Sequence, residues 1–316
     1  MTEAWPPLPW EPWRGTAEAL HLWTQILGKH RLARAPWVNH AWHATLYVTP
    51  RGLTTGPFPE AGGALSLTLD FRDHALVAEN AGGRREGFAL GPMSVADFLV
   101  RTRAAVEALG GRFDIHGRPN EVPDPVPFAE DSAGRPYDRE AVERFHRALV
   151  SIERVFQRFR TGFLGKVSPV HLFWGAFDLA VTRFSGRPAP PHPGGIPNLP
   201  DAVTREAYSH EASSAGFWPG ANVGEAMLYS YAYPTPEGFA ARSVEPAAAR
   251  WNGALGEFLL PYEAVRTAPD PEAALMRFLQ TTYEAAAETG GWDRAALECA
   301  IGRPGVPRPV PMEETL

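Results

Sequence analysis

Four residues with metal-ligating or proton-transferring side chains pose the first question: His40, His171, Glu206 and His210. Imidazole combined with carboxylate is a donor set suited to zinc, manganese or non-haem iron. In "REAYSHEASSAGFWPG", residues 205–220, Glu206 and His210 stand four apart. On a helix that spacing puts both on one face, as two ligands to a single ion require. Glu211 would then project about 100° away, which fits a general base beside the metal better than a ligand. Asp178, a charge inside "FWGAFDLAVTRF", is either a structural carboxylate partnered by Arg183 or Arg187, or a second catalytic carboxylate.

Three readings of these residues stay open. The first is an enzyme with one divalent transition metal on His40, His171, Glu206 and His210, leaving a position free for substrate or activated water. The second removes the metal and makes His210, with Glu206 or Asp178, an acid/base pair in an aromatic pocket. The third is a non-catalytic binding or scaffold protein whose histidines are structural. Familiar motifs give no shortcut: the sequence lacks HExxH, GxSxG, a zinc-type cysteine pair, a P-loop and a GxGxxG after a strand.

The elements that must carry these residues follow from periodicity. A helix is expected from Thr16, as N-cap, to about Lys29, burying Leu20, Trp23, Ile26 and Leu27. On another face His21, Gln25 and Lys29 recur every four residues, a stripe facing either solvent or a ligand; His21 is a candidate pocket residue. Before it, "WPPLPWEPW" reads as an extended strap. "HATLYVT", "ALSLTLDF" and "HALVAE" read as strands of an antiparallel meander. Helices are expected from Ser94 to about Gly110, Asp138 to about Thr161 and Asp270 to Thr289, with a short one in "GGWDRAALECA". "SPVHLFWGAFDLAVTRFSGR", "AMLYSYAYP" and "GEFLLPY" are strand-like. Six prolines between 188 and 200 exclude regular structure there. Trp218, in "GFWPG", is the tryptophan best placed to wall a pocket.

Three segment pairs suggest a duplication: His40 to Pro57 against His171 to Pro188, Gly87 to Val95 against Glu257 to Val265, and Phe98 to Gly110 against Phe278 to Gly290. The expected fold is therefore α+β and internally duplicated. It has two strand-strand-strand-helix halves, about 37–110 and 167–290, with antiparallel sheets backed by helices and joined by a helix at about 138–161. Residues from about 186 to 220 read as a Pro-rich insertion on the second half, and 302–316 as a loose tail, all within one compact body, 1–316. His40 and His171 would then lie symmetrically near the joint.

Composition narrows the partners. The net charge of −6 gives no footprint for nucleic acid or an anionic membrane. One cysteine, Cys299, excludes an intramolecular disulfide. No apolar run approaches the ~18 residues of a membrane helix, and the first residues lack a signal-peptide pattern. A cytoplasmic protein with a small-molecule ligand is the expectation.

The segments "LHLWTQILGK", "PWVNHAWHATLYVTPRGLTT", "GFLGKVSPVHLFWGAFDLAVTRFSGR", "EAYSHEASSAGFWPG", "YSYAYP" and "GEFLLPYEAVR" resemble a bacterial family known as domain of unknown function 5996. The resemblance spans about Trp5 to Arg294 and implies a bacterial protein of roughly this length. It transfers no activity, cofactor or catalytic residue. The function expected from the residues is thus an enzyme acting on a small, partly apolar molecule.

Overall fold

In a computed structural model, residues 3–60, 62–221 and 223–308 are described. Helices and antiparallel strands give an α+β fold. The first helix, α1 (Trp10–Leu32), begins well before the expected Thr16. Pro12 sits in the first turn, where a missing N–H costs nothing, so the tryptophan-rich strap winds directly into helix. Thr16 serves instead as a buried anchor, its hydroxyl accepting the Asp138 N–H at 3.0 Å.

Strands β1 (Tyr47–Thr49), β2 (Gly52–Thr54), β3 (Phe58–Glu60), β4 (Gly63–Asp70), β5 (Ala75–Asn80) and β6 (Arg85–Ala89) build the first sheet, ordered β1-β2-β4-β5-β6 with β3 also on β4. Leu65, Leu67 and Leu69 alternate inward, as their spacing predicts. Helix α2 (Val95–Ala108) follows, its N-cap Ser94 accepting the Asp97 N–H. Then comes α3 (Arg139–Arg160), capped by Asp138.

The second sheet is ordered β11-β12-β10-β9-β8-β7, from β7 (His171–Phe173), β8 (Asp178–Pro188), β9 (His210–Trp218), β10 (Met227–Tyr233), β11 (Arg250–Asn252) and β12 (Glu257–Pro261). Leu46 and Leu172 exchange backbone hydrogen bonds of 3.0 and 2.8 Å, so the sheets meet where β1 adjoins β7. Between β8 and β9 lies the helix α4 (Asp201–Ala207). After β12 come α5 (Tyr262–Arg266), α6 (Pro271–Thr289) and α7 (Arg294–Leu297). Among the described residues, no helix is long and apolar enough to cross a membrane.

Three expectations need correction. Residues 210–218 are no insertion: they form β9, paired on both sides by β8 and β10. Their seven consecutive buried residues, Ala212 to Trp218, mark a strand covered on both faces. The first proposed repeat does not hold either. It sets the hairpin β1–β2 against the single strand β8, so the duplication has no support there. The tail from Gly302 to Arg308 is tied to Thr161 through the Gly302 N–H at 2.9 Å and the Arg308 guanidinium; the rest of the expected tail, 309–316, lies outside the described residues.

Candidate functional site

The two faces of the second sheet separate by strand alternation. Leu179 and Val181, Ala215 and Phe217, Leu228, and Phe258 and Leu260 turn to the apolar core shared with the helices. The opposite face presents Asp178, Thr182 and Phe184 on β8, Ser214, Gly216 and Trp218 on β9, Tyr229 and Tyr231 on β10, and Glu257 on β12. All but Gly216 line a cavity of about 730 Å³. That is the size of a small-molecule site.

Register matches large residues with small ones. Ala180, Gly216 and Tyr229 lie in one row across three strands, and Thr182, Ser214 and Tyr231 in the next. The Tyr229 phenol lies over Gly216, where a Cβ would come within 2.3 Å of its oxygen. From there it reaches across β9 to donate a hydrogen bond to Asp178 Oδ2. Tyr231 pairs its hydroxyl with that of Tyr208 at 2.9 Å.

Irregular segments roof the cavity together with α4, through Val203, Thr204 and Ala207, and the α1 stripe holds the irregular segments. His21 Nε2 donates to the Gly175 carbonyl at 2.7 Å. Gln25 clasps the Asn120 backbone through two bonds, 2.8 and 2.9 Å. Lys29, lying 5.4 Å over the Trp174 ring, donates to Asn120 Oδ1. Asn120 Nδ2 then donates to the Asn198 carbonyl at 2.5 Å, and Asn198 Nδ2 to the Val122 carbonyl at 2.9 Å. These clasps present Glu121 to the cavity. Four non-glycine residues of the wall, His40, Ala41, Glu121 and Asn198, have φ between 56° and 59°. Left-handed backbone at such residues costs of order 1 kcal/mol each and concentrates at functional sites.

Three carboxyls face this space. Burial pushes Asp178 up to about 6, against the Tyr229 hydrogen bond that favours its ionised form. Burial, and then the Asp178 charge, push Glu121 up to about 7 and Glu257 up to about 8. Glu257 Oε2 is shielded from solvent and has no hydrogen-bond partner among the described residues. The Tyr229 phenol is held well above its ordinary value, first by burial and then by Asp178, so it remains a donor. Burial also lowers Lys29 to about 8.

Of the residues expected to do chemistry, His40, Asp178 and Trp218 line the cavity. His40, Glu206 and His210 come together at its edge, but not as a metal site. Glu206 accepts the His40 backbone N–H at 2.8 Å, steadying a left-handed turn. His40 Nδ1 donates to the Ala207 carbonyl at 2.7 Å, and its Nε2 accepts from the Lys166 ammonium at 2.8 Å. Both ring nitrogens are thereby engaged, one of them by a cation. Glu206 ends a helix and His210 opens a strand, so the shared helical face expected for them does not exist. His210 Nδ1 pairs with the Ser209 hydroxyl at 3.0 Å rather than with a carboxylate.

His171 is fully buried in β7, its ring 4.3 Å from Phe173, and burial lowers it to about 3. Among the described residues, no group of three or more His, Cys, Asp or Glu side chains is arranged to hold a metal ion. Glu211 is bound by Arg187 at 2.7 and 2.9 Å and by Ser185 at 2.8 Å, a structural pairing. Arg183, one expected partner of Asp178, points to the other face and stacks 3.5 Å over Phe159. His21 supports the wall from behind rather than lining it.

Sequence reasoning passed over Glu121, Glu257, Tyr229 and Tyr231. The strand alternation of "YSYAY" and "GEF" carries a signal for the last three. Glu121, in the aperiodic "RPNEVPDP", has none. No curated protein and no solved structure matches the chain. The model of the family of unknown function DUF5996 matches residues 5–299, and the chain belongs to that family.

Proposed function

We propose that this protein is an enzyme acting on a small, partly apolar molecule by metal-free acid–base chemistry, with Asp178 exchanging the proton. The observation that carries this reading is Asp178 itself. It is 4% exposed, faces an aromatic-walled cavity, and is held by a phenol rather than by a cation. A structural carboxylate at such depth ordinarily has a cationic partner. One held by a neutral donor stays able to take up and release a proton near neutrality.

Glu257 and Glu121 complete the set. Carboxyls pushed to different values divide the acid and base roles among themselves. Burial raises Asp178 less than Glu257, so as pH rises Asp178 is the first of the two to become the carboxylate and Glu257 the one that keeps its proton longer. Tyr229 positions Asp178, and the aromatic walls take the apolar part of the substrate.

The test is a small-molecule library read by mass spectrometry, for retention and for conversion. Two variants that fill the cavity serve as controls: Ser214→Trp from the sheet and Val203→Trp from the roof. Compounds retained by the native protein should be lost from both, and any conversion should be lost in Asp178→Asn. Retention that is unchanged in both folded, cavity-filled variants would overturn the reading.

A further inference from the structure

The cavity holds more acidic charge than its protein neighbours balance. Asp178 acts on both Glu121 and Glu257, yet no cation among the described residues offsets either of those carboxyls. Lys29, which lines the wall, is turned to Asn120 and Trp174. Of the lining histidines, His40 already accepts a hydrogen bond from Lys166, and His116 acts on neither Glu121 nor Glu257. Around the carboxyls stand π-systems: Trp218 stacks on Tyr229 at 4.4 Å, and Tyr229 on Tyr231 at 6.1 Å. Carboxylate and aromatic ring together are the surroundings that favour an organic cation over any other small solute. Glu257 lines the cavity, and its Oε2 has no hydrogen-bond partner among the described residues, so no protein donor holds this carboxyl in place of a ligand.

We infer that the substrate is an organic cation, a protonated amine or amidine with an apolar body, whose charged nitrogen lies beside Asp178 and is shared with Glu121 and Glu257. This rests on the proposed function of the same cavity. A primary ammonium has three N–H donors, one for each carboxyl, and an amidinium group spreads up to four over its two nitrogens. Its charge draws them into their ionised forms, so binding releases protons below about pH 8, the value to which burial raises Glu257. Affinity therefore rises with pH from about 5.5 to 8, and falls again only as the amine itself loses its proton near pH 10.

The experiment uses shape-matched triads that differ only in charge, on many apolar bodies, phenethylamine, 2-phenylethanol and phenylacetate being one set. Binding to the full chain is measured by ligand-observed NMR and calorimetry at pH 6 and 8. Cations should bind at least about tenfold more tightly than their neutral and anionic partners, release protons, and lose about tenfold or more in Glu257→Gln. Should that variant fail to fold, Glu121→Gln gives the same readout. Neutral or anionic members binding as well as the cations, in a manner blocked by Val203→Trp, would overturn this inference while leaving the cavity's role standing. No cavity-blocked binding from any triad would overturn both.

Discussion

Two sheets of nearly equal size in one chain treat their second faces differently. In the first, Leu65, Leu67 and Leu69 face the core, while Ser66 and Thr68 between them are only partly covered. In the second, Asp178 to Val181 and Ala212 to Trp218 are continuously buried, because the roof segments cover what the helices do not. A face covered by helices fills with aliphatic side chains. A face covered by loops tied through asparagine and glutamine leaves a gap, and here the gap holds three carboxyls and a row of phenols. The contrast shows that polar burial on one sheet face, rather than a motif, marks the site.

Substitutions can break that comparison. Leu228→Ala, on the helix face of β10 at 0% exposure, should cost about 2–5 kcal/mol in chemical denaturation, with ligand binding retained below the unfolding transition. The pocket face of the same sheet should behave oppositely. Asp178→Asn should stabilise the protein by about 1–3 kcal/mol at pH 8 and by almost nothing at pH 4. The sign follows from a folded carboxyl raised to about 6, so that the native state holds more protons than the unfolded chain. Its stabilising effect is present in acid and is lost as pH rises through about 4 to 6. Denaturation midpoints across pH check it, and a variant less stable than the native protein at pH 8 would contradict it.

Gly216→Ala should cost about 1–3 kcal/mol, since its Cβ would meet the Tyr229 phenol at 2.3 Å and push it off Asp178. Binding of the amine probe should weaken with it. The smallest effect is expected at the edge of the site. Glu211→Gln breaks a partly exposed pair with Arg187 and should shift stability by under about 1 kcal/mol, leaving ligand affinity unchanged. A large loss of affinity there would return Glu211 to the catalytic group.

Local signals in the sequence located most elements and few of the contacts. Ser94, Asp138 and Asp270 start α2, α3 and α6 where capping predicts. The alternation in "ALSLTLDF" and "YSYAY" locates β4 and β10. The stripe of His21, Gln25 and Lys29 was visible as a pattern, but its purpose was not, because its partners lie more than ninety residues away at Asn120 and Gly175. Glu206 and His210 misled for a related reason. Their spacing suits a helix, but α4 stops at Ala207 and the chain enters a central strand, where pairing with β8 and β10 overrides local preference. Asp178 stood out as a charge among apolar residues, while the sharing of its surroundings with Glu121 and Glu257 depends wholly on tertiary placement.

The most direct measurement is a carboxyl-detected NMR titration of protein labelled at the aspartate and glutamate side-chain carbons, with Asp178→Asn, Glu121→Gln and Glu257→Gln for assignment. Three coupled pocket carboxyls titrating with apparent values between about 6 and 8 are expected. Removing any one of them should lower the values of those it faces. Pocket carboxyls that all titrate below about 5, in the ordinary carboxylate range, would contradict the account.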